Sequence, residues 1–311
     1  MTAPIPTLLA ARNLRSDFDL TADELQSVLD LAESVKRTPR RYANALTGRY
    51  ASLLFEKPSL RTRLTFEIAM KQLGGDSVTV SGPIGGREPV RDVARNLERW
   101  TDVIVARTFS QQTVDSLAEW ATVPVINALS DMYHPCQALA DMLTLREHWG
   151  DVRGRKLAFV GDGNNVAHSL MLCASRLGID FALAHPNGYE PSEEIVEKAR
   201  EFAAGSGASV FITNEVDAAL RNASAVYTDV WASMGQEHEA MERARLFAPY
   251  QVNGELMSLA ASDAIFMHCL PAHRDEEVTD EVMESPSSVV FEQAENRLHV
   301  QKALLLTLLS E

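Results

Sequence analysis

Positive charge is in short supply in this sequence. Lys and Arg number 29 against 43 Asp and Glu, a formal net charge of −14. Nucleic acid and anionic membranes bind basic faces, so neither is expected as the main partner. A small anion remains possible, because a few local arginines can oppose the global sign. Cysteine is scarce too. Cys136, Cys173 and Cys269 show no C-x-x-C spacing and cannot all pair. That excludes a disulfide framework and a zinc ribbon, and it fits a reducing compartment. No apolar run approaches the roughly 18 residues of a membrane span. The stretch MTAPIPTLLAARNLRSDFDL has early charges and no long apolar core, so no secretory signal is expected. The expected location is the cytoplasm. G-K-[ST] is absent after the first strand, which disfavours a P-loop, and there is no solenoid-period repeat or low-complexity segment.

What remains is a globular α/β pattern. With 311 residues, 46% apolar and 23% charged, the chain has room for two ordinary domains. Thr21 stands as N-cap of a first helix in the order T-A-D-E, a capping-box spacing. Short apolar runs expected as strands lie at 50–55, 76–80, 102–108, 123–129, 156–160, 181–184, 208–212, 225–228, 264–268 and 289–291. Amphipathic helices alternate with them, at 89–100, 114–120, 135–149 and, last, 294–309 among others. This alternation implies two doubly wound parallel sheets covered on both faces, residues 1–148 and 149–293. Ligands of such sheets sit beyond the carboxyl ends of the strands, so the loops just after strands should carry the chemistry.

Residues 55–63, FEKPSLRTR, obey that rule first. An apolar strand ends, Lys57 and Pro58 break the pattern, and Ser59 is placed as N-cap of a helix with Leu64, Ile68 and Leu73 on one face. Unpaired N–H groups, the positive helix end, the Ser59 and Thr62 hydroxyls and the Arg61 guanidinium together make a phosphate cradle. The plainer alternative is an ordinary N-cap with a solvated arginine face, Arg63 pairing Glu67 at i,i+4.

Further polar clusters follow other strands. Arg107-Thr108 reads as ligand or rim charge. In HPCQ (134–137), His134 can donate to a developing oxyanion and Gln137 can read an amide; alternatively Pro135 simply starts a helix at N1. GDGNN (161–165) lacks the third Gly of a dinucleotide fingerprint, which weakens any nicotinamide site. Asp229, Ser233 and Gly235 in TDVWASMG suit the charged groups of an amino acid, or a capping loop. HCLP (268–271) contains Cys269, a nucleophile or a small buried filler. A zinc site from His268, Cys269 and His273 matches no common ligand spacing.

In order and wording these motifs resemble the aspartate/ornithine transcarbamoylase family across essentially the whole chain. The match covers S-x-R-T-R at 59–63, Arg107-Thr108, HPCQ, HCLP and the closing ENR with Arg297. The D-x-x-x-S-M-G loop (229–235) and HCLP mark its ornithine-using branch; the aspartate-using branch carries a catalytic-loop lysine, and no Lys lies between Lys71 and Lys156. The resemblance implies a carbamoyl-phosphate domain joined by a returning C-terminal helix (294–311) and an ornithine domain. Ser59, Leu60, Arg61, Thr62 and Arg107 would hold the phosphate. Arg107, His134 and Thr62 would polarise the carbonyl, with Arg297 adding positive charge. Gln137 and the carbonyls of Cys269 and Leu270 would take the carbamoyl NH2. Asn165, Asp229, Ser233 and Met234 would bind ornithine, and either Asp229 or Cys269 would assist its deprotonation. No metal or organic cofactor is implied. The resemblance also implies a homotrimer or a multiple of one, in arginine biosynthesis, with putrescine or N-acetylornithine as alternative amines.

Two departures touch the phosphate side. Leu60 replaces a Thr common in the ornithine branch. Pro83 stands where a loop Gln often reaches the neighbouring subunit's substrate, with Arg87 the candidate replacement.

Overall fold

The structure, a computed structural model, describes residues 12–232 and 239–309. Cα packing divides the chain into two compact units, Met1–Leu143 with Glu295–Glu311, and Thr144–Ala294.

In the first unit α1 (Ala22–Arg37) begins with the expected capping box. The Thr21 hydroxyl accepts from the Glu24 N–H, and the Glu24 carboxylate accepts from the Thr21 N–H. Strands β1 (Tyr50–Phe55), β2 (Asp76–Ser81), β3 (Val103–Arg107) and β4 (Val125–Leu129) form a parallel sheet in the order β2-β1-β3-β4. Helices α2 (Arg61–Gln72), α3 (Val90–Leu97), α4 (Gln111–Trp120) and α5 (Pro135–Trp149) connect or follow them, and the division between units falls inside α5. Leu54, Ile104, Ala106 and Val125 pack on one face against Ala94 of α3 and Val114 and Leu117 of α4. The order reverses direction between β1 and β3, so the loops leaving those strands diverge and open a crevice at their carboxyl ends. At that edge the β3–β4 register slips between Ala106 and Arg107, a bulge that ends the regular pairing beside the loops.

Two expectations for α2 fail. Its N-cap is Leu60, not Ser59, and no side chain caps it. The buried face is Thr62, Phe66, Ala69 and Met70, whereas Leu64 (45% exposed) and Ile68 (39%) point to solvent. Helical spacing identifies a stripe but not which side faces the sheet, and here two stripes compete. Val78 and Val80, on edge strand β2, are likewise exposed.

In the second unit β5 (Lys156–Val160), β6 (Asp180–Ala184), β7 (Val210–Thr213), β8 (Ala225–Thr228) and β9 (Ile265–His268) form a parallel sheet ordered β7-β6-β5-β8-β9. Its helices are α6 (Asn165–Leu177), α7 (Glu193–Ser206), α8 (Val216–Leu220), α9 (Ala240–Phe247), α10 (Gly254–Leu259) and α11 (Asp280–Met283). The switch point lies between β5 and β8. The expected strand at 289–291 is absent. Val290 already begins α12 (Val290–Leu309), and only an isolated bridge, Phe266 to Ser288, precedes it. A β-branched pair beside Phe reads as strand by propensity, but the neighbouring segment completes a helix instead. From Glu295 onward α12 belongs to the first unit, where the Lys36 ammonium donates to Asn296 Oδ1 at 2.8 Å. Among the described residues no helix is long and apolar enough to cross a membrane.

Gly163 explains why the turn after β5 needs glycine without any dinucleotide. A Cβ there would sit 2.2 Å from the Pro191 nitrogen and 2.6 Å from the Glu190 carbonyl carbon, both backbone. Gly163→Ala is expected to destabilise the fold by about 1–3 kcal/mol through this overpacking. A lowered urea midpoint with an unchanged m-value would show it, and a wild-type midpoint would contradict the close approach.

Candidate functional site

At the carboxyl edge of the first sheet, Phe55 ends β1 and the chain passes through Ser59, half-buried, and exposed Leu60 into α2. The N-cap gives the first turn no side-chain bond, and the positive end of the helix dipole lies beside this loop. Arg61 is the first helical residue. Arg63 is committed elsewhere, 3.0 Å from Glu67 at i,i+4, as the plain reading has it.

Arg107 is buried at the end of β3, so the rim-charge alternative does not hold. Thr62 is buried too, and its hydroxyl accepts from the guanidinium of Arg297, itself buried on α12. His134 lies just before α5 and is buried. Burial, followed by the charges of Arg297 and Arg107, holds its imidazole well below the ordinary 6.5. A neutral ring between two guanidinium charges remains a hydrogen-bond donor without adding a third cation. Gln137 donates from Nε2 to Asp141 Oδ1 at 2.8 Å, and its Oε1 is buried without a hydrogen-bond partner among the described residues. Since a carboxylate demands the NH2 end of the amide, the oxygen is left to accept from an N–H donor.

Lys57 was read in the sequence only as a break in the strand. It stands 4.8 Å above the Phe109 ring, and burial plus the charge of Arg107 lower its pKa. Its position two residues beyond β1, at the switch point, was the signal available. Glu56 beside it accepts from the Ile84 and Phe109 N–H groups, at 2.8 and 2.9 Å, and so braces the loops after β2 and β3. Pro83 and Arg87 lie exposed in the former.

At the switch point of the second sheet, Asp229 follows β8 and is buried. Its Oδ2 accepts from Asn164 Nδ2 at 2.9 Å, and its Oδ1 accepts from the Cys269 thiol at 3.0 Å and from the Val230 N–H at 2.8 Å. Asn164 also caps α6 with its Oδ1, so one amide both starts the helix and orients the carboxylate. The sequence reading passed over Asn164 in favour of Asn165, the first residue of α6. A double Asn at a strand-to-helix turn offers no pattern for choosing between them. Asp162 in the same turn pairs with buried Arg243 at 2.7 Å, and Arg243 also donates to the Trp231 carbonyl at 2.8 Å. Burial raises the Asp162 pKa in spite of that partner. Ser233 and Met234 lie outside the described residues.

None of the three cysteines is in a disulfide. Burial pushes the Cys136 thiol up to about 12, so it is an inert filler. Cys269 Sγ lies 3.0 Å from Asp229 Oδ1 as a donor. Asp229, His268 and Cys269 lie close enough to share a cation, but both ring nitrogens of His268 are already engaged, Nδ1 by the Leu270 N–H and Nε2 by Glu277. His273 groups instead with Glu276 and Glu277. The three-residue zinc set considered from the sequence is therefore not assembled.

A family model described as the carbamoyl-P binding domain of aspartate/ornithine carbamoyltransferase matches residues 12–147, and its Asp/Orn binding domain matches residues 153–308. An ornithine carbamoyltransferase of Parasynechococcus marenigrum is 50% identical over 304 residues, 97% of this chain and 95% of that protein. An anabolic ornithine carbamoyltransferase of Pyrococcus furiosus is 49% identical over 302 residues, 96% of each. The solved ornithine carbamoyltransferase from Pyrococcus furiosus superposes with a TM-score of 0.92 at 48% identity, covering 95% of this chain and 96% of that one. Matched in both halves and along nearly its full length, the chain belongs to the aspartate/ornithine carbamoyltransferase family.

Proposed function

We propose that this carbamoyltransferase moves the carbamoyl group of carbamoyl phosphate to the side-chain amine of L-ornithine, giving L-citrulline and phosphate, in arginine biosynthesis in the cytoplasm. The observation that carries the reading is His134 held neutral beside Arg107 and Arg297, with Thr62 bonded to the latter. Crowded cationic groups that lower one another's proton affinity are stabilised by an anion, and the reaction supplies a phosphorylated donor and an anionic intermediate.

Ser59, Leu60, Arg61, Thr62 and Arg107 take the phosphate; for Leu60 only the backbone N–H is needed, so the side-chain departure is mild. Arg107, Thr62 and neutral His134 donate to the carbonyl oxygen as it becomes an oxyanion. Gln137 Oε1 and the carbonyls of Cys269 and Leu270 accept from the carbamoyl NH2. Asp229, Asn165, Ser233 and Met234 hold ornithine, Asp229 as the counter-charge to an ammonium. The side-chain amine, with an ordinary pKa of about 10.4 as in lysine, loses a proton before attack. Its nitrogen lone pair then adds to the carbamoyl carbon; the added nitrogen passes its extra proton to the departing phosphate oxygen, and the carbon–oxygen bond to phosphate breaks as the oxyanion collapses. The first proton passes to Asp229 or Cys269.

We assign the exposed Leu64, Ile68, Val78 and Val80 of the first unit to contacts between copies in a homotrimer or a multiple of one, since apolar side chains of this size gain from cover.

The function is tested by supplying carbamoyl phosphate with ornithine, putrescine, N-acetylornithine or aspartate and measuring the product. Citrulline from ornithine is expected; turnover of putrescine or N-acetylornithine alone would keep the family and overturn the substrate. Arg61→Ala is expected to lower kcat/KM for carbamoyl phosphate by about a hundredfold or more, as for loss of one charged transition-state donor. Near-normal kinetics would remove Arg61 from the cradle.

The His134 shift also has a pH consequence. Its folded value is depressed below 6.5, so its contribution to stability is complete above about that pH and is lost as pH falls from there toward the folded value. The unfolding midpoint of the wild type is expected to fall more steeply below pH 6.5 than that of His134→Asn. Parallel profiles would mean that the ring is not held neutral.

A further inference from the structure

The turn after β9 is held by groups to which the proposed reaction assigns nothing. Leu270 has a φ of 59°, the left-handed region that a residue with a Cβ adopts only where its surroundings impose it. The ring of His268 bonds this backbone directly. Its Nδ1 accepts from the Leu270 N–H at 2.9 Å, which requires that nitrogen to be unprotonated. The ring proton is therefore on Nε2, which faces Glu277 Oε1 at 3.2 Å. Both side chains are fully buried. The same Glu277 oxygen also accepts from the His273 N–H at 2.6 Å, so one carboxylate oxygen holds the start and the end of the turn. Behind the ring, the His268 N–H donates to Gln293 Oε1 at 3.0 Å, and Gln293 Nε2 donates to the Tyr227 hydroxyl at 3.1 Å.

We propose that Glu277 is a positioning residue for the carbamoyl-accepting carbonyls of Cys269 and Leu270, acting through the tautomer and orientation of His268. Without an acceptor at Nε2 the ring is free to place its proton on Nδ1. The Leu270 N–H then faces a second N–H, and the backbone leaves the left-handed conformation that aims those carbonyls. What Glu277 supplies is an oxygen acceptor in a fixed place, not a charge on the substrate. The inference rests on the proposed reading of the two carbonyls as carbamoyl ligands.

The experiment pairs 15N-histidine NMR of the full chain with the kinetics of Glu277→Gln and Glu277→Ala. In the wild type, His268 should show an unprotonated Nδ1 and a protonated Nε2. Glu277→Gln, which keeps the carbonyl oxygen, should retain that signature and kcat/KM for carbamoyl phosphate within about threefold, whereas Glu277→Ala should lose the signature and about ten- to a hundredfold in kcat/KM. The KM for ornithine should change far less than that for carbamoyl phosphate. An Nδ1-protonated ring in the wild type would overturn the proposal. So would a Glu277→Ala enzyme of normal rate, a Glu277→Gln enzyme as impaired as Glu277→Ala, or an equal loss on both substrates. If Glu277→Ala does not fold, the wild-type spectrum and Glu277→Gln still decide. Absence of citrulline formation by the wild type would instead sink the functional reading and leave the NMR result standing.

Discussion

Crowding of like charge at the carboxyl edge of one sheet is the constraint from which the first unit follows. Arg107, Arg297 and Lys57 are buried or half-buried there; burial first, and then neighbouring guanidinium charge, lower the proton affinities of Lys57 and His134. Desolvated cations that repel one another cost stability, and the surrounding fold must hold them in place. Buried strands, the Glu56 brace and the bond from Arg297 to Thr62 provide the hold. An anion offsets what the crowding costs, so the same repulsion favours the phosphorylated ligand proposed for this unit. The acidic balance of the whole chain, −14, does not oppose this, because local cations act within a few ångströms while distant charges are screened.

The second unit solves the complementary problem with neutral groups around one carboxylate. Asp229 receives an amide N–H, a thiol and a backbone N–H, each from a different segment, and none is a cation. A cation there would compete with an ammonium ligand. Arg243, the nearby guanidinium, is occupied by Asp162, Glu239 and the Trp231 carbonyl. The proposed ligands would thus meet opposite signs, cations in the first unit and the Asp229 carboxylate in the second.

Much of this was legible in the sequence because parallel α/β architecture writes itself twice, once as alternating apolar runs and again as polar residues just past each strand. Strands β1, β5 and β8 match their expected bounds; Ser59, Arg107, His134, Asp229 and His268 each stand at a strand's carboxyl end or the loop beyond it, and Arg61–Arg63 open the helix that follows. What was not legible depended on three-dimensional choices. The buried side of α2 could not be told from its exposed side, since Leu64 and Ile68 are as apolar as Phe66 and Met70. Residues 289–291 carry strand propensity but extend a helix. Asn164 and Asn165 are identical letters with different positions in a cap. Lys57 looked like punctuation, because nothing in a string shows that a cation is half-buried against another. Glu277 was equally silent, being one carboxylate in an acidic stretch, and only its complete burial separates it from Glu276.

The helix that supplies Arg297 follows the second unit in sequence, yet from Glu295 onward it packs within the first unit. Vectorial synthesis therefore delivers the cradle turn, Arg107 and His134 long before the guanidinium that bonds Thr62. While the ribosome makes the second unit, the emerging first unit holds only part of its charge and lacks a buried helix. The bond from Arg297 to Thr62 spans 235 residues of sequence, so the first unit gains this buried cation only when both ends of that span are folded together.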